Sequence, residues 1–87
     1  MKTFKLKISS PEGDVFHGDI AQIILRGTEG ELAVMAGHIP FATAVRPCDC
    51  RILTAENETR IGHIDGGLLT VSADKTVLLC GSFVWQE

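Results

Sequence analysis

What the chain lacks narrows its reading first. No basic cluster stands out beyond the spaced Lys2, Lys5 and Lys7, and the formal net charge is −3 with an isoelectric point near 5.5. The electrostatic footprint of a nucleic-acid binder is therefore missing. No uninterrupted apolar run approaches the ~20 residues that a membrane-spanning helix needs, and the N-terminus has none of the apolar core of a signal peptide. Cysteine is scarce and odd in number, at Cys48, Cys50 and Cys80. Without a signal peptide this argues for a reducing compartment and against a disulfide framework. Sustained 3.6-residue periodicity is absent, as are internal repeats, low-complexity tracts and any linker to a second domain.

What is present is a short, apolar chain. Its 87 residues make one small domain, in a size range where only about 60% of the unfolded surface is buried on folding. Hydrophobic residues account for 45% of the chain, with a mean hydropathy of +0.20. A domain this small cannot hide all of that internally, so part of it is expected to form a partner surface.

Two-residue alternation recurs throughout and predicts an all-β fold, a small β-sandwich or flattened barrel of roughly eight to ten short strands. Phe4, Leu6 and Ile8 alternate with Lys5 and Lys7 as a first strand, closed by the turn Pro11-Glu12-Gly13-Asp14. Val15 to His17 is a short run. Ile20 to Leu25 follows as a second strand, whose continuous apolar character predicts burial on both faces or a bulge near Gly18. The most ordered stretch, Gly27 to Pro40, combines a glycine turn, a strand over 31–35 and a second bend. Beyond it, strands are expected over 41–45, from Cys48 to about Ala55, and over 59–64, 68–72 and 76–80. The tail Ser82 to Glu87 carries Phe83, Val84 and Trp85, apolar enough to dock.

Catalytic chemistry finds little support. There is no Gly-x-Ser-x-Gly elbow, and Gly27-Thr28-Glu29-Gly30-Glu31 lacks the lysine of a phosphate-binding loop while placing carboxylates where phosphate is repelled. Glu29 and Glu31 flank a glycine in a turn, where acids are usually solvated. Cys48 and Cys50 point the same way along a strand and, with Cys80 or His63, suggest a metal or redox module. The competing reading, that these thiols are small apolar core residues, follows from the burial habit of free cysteine and is preferred. Lys75 in its hairpin turn also invites comparison with the modified lysine of lipoyl and biotinyl carriers, but it lies near the end of the chain and not between two similar halves. His38, between Gly37 and Ile39-Pro40, suits a protein contact in a loop.

The ordered combination Gly27-Thr28-Glu29-Gly30-Glu31-Leu32, then Gly37-His38-Ile39-Pro40, then Thr43-Ala44-Val45-Arg46-Pro47, resembles the N-terminal β-sandwich domain of the epsilon subunit of F-type ATP synthases. Ser10-Pro11-Glu12-Gly13-Asp14-Val15-Phe16 before it, with Gly66-Gly67 and Lys75-Thr76-Val77-Leu78 after it, extend the likeness over nearly the whole chain. Ala36 stands where the family often has proline, Cys48 where it has glycine, and Leu79-Cys80-Gly81 where it commonly continues alanine-aspartate.

The resemblance implies a non-catalytic central-stalk subunit that links the gamma subunit to the c-ring, with no cofactor and no metal. It implies a peripheral location at the cytoplasmic face of the cell membrane. Carried over by position, Glu31, His38, Ile39, Pro40 and Phe41 are the expected rotor contacts. The chain, taken as a single domain over 1–87, stops where the family continues into an α-helical hairpin. The inhibition of ATP hydrolysis associated with that hairpin is not expected of it.

Overall fold

A computed structural model of the chain describes residues 2–86. Met1 and Glu87, both within the expected domain and the latter in the expected docking tail, lie outside the described residues. Among the described residues there are nine strands: β1 (Phe4–Ser10), β2 (Gly13–Gly27), β3 (Gly30–Met35), β4 (Phe41–Val45), β5 (Cys48–Thr54), β6 (Thr59–Ile64), β7 (Gly67–Val71), β8 (Lys75–Cys80) and β9 (Phe83–Trp85). The all-β sandwich expected from alternation is what forms.

Strand β2 corrects the sequence reading in one respect. It is a single 15-residue strand, not a short run followed by a second strand, and Gly18 sits in regular register opposite Leu6. Irregularities lie on either side of it: Val15 is an extra residue, since Phe16 faces Ile8 while Asp14 faces Ser9, and a second lies three residues beyond Gly18, at Ala21. Ile20 faces Thr54 of β5 while Gln22 faces the adjacent Leu53, so Ala21 is the extra residue of a bulge. Side chains alternate by two along a strand, and an extra residue reverses that phase. Ile20 and Ala21 are therefore both buried, and the inward set continues as Ile23, Leu25 and Gly27.

The phase reversal lets one strand serve both layers. The first half of β2 pairs with β1, and its second half lies between β3 and β5. One layer runs β4-β7-β8-β1-β2, including a parallel β1–β8 pairing, and the other runs β3-β2-β5-β6-β9. Leu6, Ile8, Ile20, Ile23, Ile52, Ile64, Leu69 and Leu78 fill the space between them, each with no exposed surface. Within the first layer, β7 and β8 run unusually close where β7 begins: a side-chain carbon on Gly67 would overlap the backbone carbonyl oxygen of Leu79 on β8.

The expected docking of the tail is achieved by β9, which pairs with β6 so that Phe83 faces Ile64 and Trp85 faces Gly62. Gly62 leaves room for the Phe83 ring, which a side chain there would overlap. Trp85 packs edge-on against Phe83 at 4.9 Å and Phe16 at 6.0 Å between ring centroids, and the Arg60 guanidinium lies 3.8 Å from its ring centroid. Outside the sandwich, Asp49 Oδ1 accepts from the Gln86 amide at 3.0 Å and lies 3.0 Å from His63 Nδ1. The bond to His63 holds the Asp49 carboxyl below the ordinary carboxylate range against the opposing pull of partial desolvation, and Gln86 adds to the lowering.

Two outcomes follow from these contacts. Gly67→Ala forces apart two backbones that no rotamer change can relieve, and is expected to lower unfolding free energy by about 1–3 kcal/mol; urea denaturation with an unchanged midpoint would contradict that close approach. A carboxyl lowered in the folded state supports folding above its unfolded pKa of about 3.9, and the support is lost as pH falls through the folded value. His63→Ala therefore moves the Asp49 titration upward toward the ordinary range in a carboxyl-detected NMR experiment. Titration of Asp49 at an unaltered pH in that variant would show that His63 is not the cause.

Candidate functional site

The β2–β3 hairpin presents Glu31. Gly27 and Gly30 face each other across the two-residue turn Thr28-Glu29, and Gly30 adopts a φ of +125° that disfavours any side chain. Gly27 packs beneath Leu32: a side-chain carbon there would lie 2.7 Å from Leu32 Cδ2, and the leucine would have to turn aside. Glu31 follows, opposite Arg26, and its Oε2 lies 3.9 Å from Arg51 Nη2 on β5, so the pair reaches across β2. Both side chains are more than half exposed, at 62% and 54%. Such a pair contributes about 0–1 kcal/mol, which leaves the carboxylate free to exchange Arg51 for a cation on another chain.

The loop from β3 to β4 presents His38, Ile39 and Pro40. Gly37 turns the chain with a φ of +84°, and the His38 amide donates to the Met35 carbonyl at 3.2 Å. His38 Nδ1 lies 3.0 Å from the Ile39 carbonyl oxygen, and the imidazole rests on the Phe41 ring at 4.9 Å between centroids. Phe41 is half-buried against the core, so it supports the exposed histidine from beneath. Ile39 is 79% exposed, an uncommon place for a large apolar side chain, and Pro40 beside it holds the knuckle in a restricted backbone shape.

Glu31 and Phe41 line one shallow cleft, with Thr28 to Leu32 on one wall and Phe41 to Thr43 on the other. His38 touches the Phe41 ring but lines a separate crevice, with Gly37 and Val71 to Thr76. Ile39 and Pro40 stand clear of that cleft, on the outward side of the loop. The five expected residues thus divide into a cleft pair, Glu31 and Phe41, and a loop of His38, Ile39 and Pro40 that joins it through the His38–Phe41 ring contact.

Two features escaped the sequence reading. Arg51, the partner of Glu31, lies two strands away through register that spacing along the chain does not reveal. The second is an exposed apolar row on the outer face of the β4-β7-β8-β1 layer, where Ala44, Leu68 and Leu79 are lateral neighbours, with Ala42, Thr70 and Val77 beside them. Leu68 is 44% and Leu79 48% exposed. The doublets Leu68-Leu69 and Leu78-Leu79 are its signal: in a strand one member of each pair must face outward.

The cysteines follow the core reading. Cys50 and Cys80 are buried in the sandwich and Cys48 is half-buried. Burial is the main reason the Cys50 thiol is pushed far above its ordinary pKa, with Cys48 beside it contributing. Among the described residues, no three His, Cys, Asp or Glu side chains are placed to hold one ion, and no helix is long and apolar enough to cross a membrane.

Comparison with known proteins adds relatives to this geometry. The family described as "ATP synthase, Delta/Epsilon chain, beta-sandwich domain" matches residues 3–86. The chain is 37% identical over 86 residues to the "ATP synthase epsilon chain, sodium ion specific" of Acetobacterium woodii, covering 99% of this chain and 65% of that protein. It is 35% identical over 86 residues to the ATP synthase epsilon chain of Clostridium novyi, covering 66% of that protein. The chain thus spans slightly less than two thirds of the length of these curated relatives.

Among solved structures, a chain of the Euglena gracilis mitochondrial ATP synthase superposes with a TM-score of 0.90 at 20% identity, over 95% of this chain and 53% of that one. A chain of the Tetrahymena thermophila mitochondrial ATP synthase central stalk and c-ring gives a TM-score of 0.79 at 13% identity, over 94% and 66%. At these identities the likeness establishes the fold, and the sequence relatives supply the rest: the chain belongs to the ATP synthase delta/epsilon family, as its β-sandwich domain.

Proposed function

We propose that this chain acts as a non-catalytic central-stalk subunit of an ion-translocating F-type ATP synthase, linking the gamma subunit to the c-ring so that the two turn together. It would be held peripherally at the cytoplasmic face of the membrane through these partners. The observation that carries this reading is the division of the exposed surface into two chemically distinct parts, one charged with an apolar knuckle and the other a flat apolar sheet face.

The charged part suits the polar loops of a c-ring. Glu31 is weakly engaged by Arg51 and accessible, and Ile39-Pro40 offers an apolar rim that excludes water from a new ion pair. The flat part suits gamma. Leu68, Leu79, Ala44 and Ala42 lie on a rigid sheet, and continuous apolar faces of this kind form the centres of long-lived interfaces. Their distribution over different parts of the fold matches the need of a coupling subunit to hold two partners at once.

Reconstitution with gamma and ring subunits separates the two contacts. Leu68→Asp is expected to weaken gamma binding by about 2 kcal/mol or more, the range of a central interface residue, while leaving the far-ultraviolet spectrum of the chain unchanged. Glu31→Ala combined with His38→Ala is expected to retain gamma but to recover less c-ring with the complex. Wild-type recovery of both partners by both variants would overturn the assignment of these surfaces.

A further inference from the structure

Strand β3 leaves one of its edges bare. Among the described residues it pairs with β2 alone. Along an antiparallel strand the residues direct their peptide groups alternately to one side and the other, and two bonds fix the phase here. The Arg46 amide donates to the Arg26 carbonyl at 2.9 Å, so Arg26 turns its groups away from β3, and its neighbour Leu25 bonds across to Leu32. The His38 amide donates to the Met35 carbonyl at 3.2 Å, so Met35 turns its groups away from β2. Glu31, Ala33 and Met35 therefore aim their amides and carbonyls outward. Among the described residues, only the Met35 carbonyl finds a backbone partner there.

Strand edges are ordinarily blunted by lysine, proline, a bulge or shortness. The edge of β9 is blunted by its length of three residues, and the end of β4 is held by β2 through Gly27 and Val45. β3 has none of these devices. It runs for six residues in regular register, contains neither lysine nor proline, and ends at Met35, a large apolar side chain that is 53% exposed. Half-buried Leu32 and Phe41 line the cleft that follows this edge, so apolar area accompanies the unpaired peptide groups.

We infer that two copies of this chain pair through their β3 edges, antiparallel about a twofold axis at Ala33. Ala33 then exchanges amide and carbonyl bonds with Ala33 of the second copy, and the Met35 amide donates to the Glu31 carbonyl across the seam. Opposed residues share a face, so Leu32 lies beside Val34 of the copy on the inner side and Glu31 beside Met35 on the outer. Charge and length select this register. An axis at Glu31 sets two carboxylates against each other, an axis at Leu32 leaves Met35 opposite the turn, and a shift of one residue sets inner against outer side chains. This fit of the edge to itself is what makes a second copy its occupant. A paired chain holds Glu31 against Met35 of its copy, so pairing competes with any other contact made through that carboxylate. One strand pairing is small for a specific interface, and the association is accordingly weak and concentration-dependent.

The test uses the full chain under reducing conditions, which exclude disulfide links between copies. Sedimentation equilibrium from about 10 μM to about 1 mM, the span of weak association, is expected to show the average mass rising from the 9.4 kDa of one chain toward twice that value. Amide hydrogen exchange read by NMR is expected to slow at Ala33 and Met35 in step with that rise. Ala33→Pro removes only an outward amide, which an edge strand tolerates, and Ala33→Lys sets like charges opposite each other across the seam. Each is expected to weaken association by about tenfold or more. A single-chain mass at every concentration would overturn the inference, and so would a dimer in which Ala33 exchanges at an unchanged rate, or variants that associate like the wild type. The wild-type exchange rates decide the matter even if a variant does not fold.

Discussion

The structure depends on one bulge in its longest strand, the extra residue Ala21 in the middle of β2. By reversing the inward phase of β2 at Ala21, the bulge lets the first half of the strand bury Ile20 with one layer and the second half bury Ile23 and Leu25 with the other. Without that reversal, one half of β2 would turn its apolar residues to solvent. Every other strand is anchored directly or indirectly to this one: β1, β3, β4 and β5 pair with it, and β7, β8, β6 and β9 build outward from those.

The same arrangement positions the proposed contact surfaces. The second half of β2 ends in the tight Gly27–Gly30 hairpin, which holds Glu31 at the rim, and its lateral neighbour β5 brings Arg51 within ion-pair distance across it. Chain reversal after β3 carries His38 onto Phe41, whose ring belongs partly to the core. The rim is therefore a rigid scaffold bearing weakly engaged groups, a combination suited to exchanging internal for external partners at small cost. On the opposite layer, regular pairing of β4, β7 and β8 sets Leu68 and Leu79 side by side, so exposed apolar area accumulates in one row and does not scatter.

Much of this was legible in the sequence because strands write their environment in a period of two. Phe4, Leu6 and Ile8 declare their face without help, and the glycine turns mark where strands reverse. The phase change in β2 was not legible: Ile23-Ile24-Leu25 reads as burial on both faces, and only pairing with Leu53 and Thr54 shows that Ala21 is the extra residue. Long-range partners are hidden for the same reason. Nothing in the spacing of Glu31 and Arg51 says that they meet, nor that His38 rests on Phe41 at the rim of the cleft lined by Glu31. The outward row of Leu68 and Leu79 was half-legible, as apolar surplus without an address. The Leu-Leu doublets supply that address once strand directions are known.

Native mass spectrometry of the assembly that contains this chain, purified gently from its own cells, tests the central claim most directly. A rotor subunit is recovered with gamma and the ring subunits in a single complex, and dissociates from them only on harsher activation. Recovery of the chain without either partner, from cells whose ATP synthase carries a different epsilon subunit, would contradict a stalk role and mean that the sandwich serves another purpose.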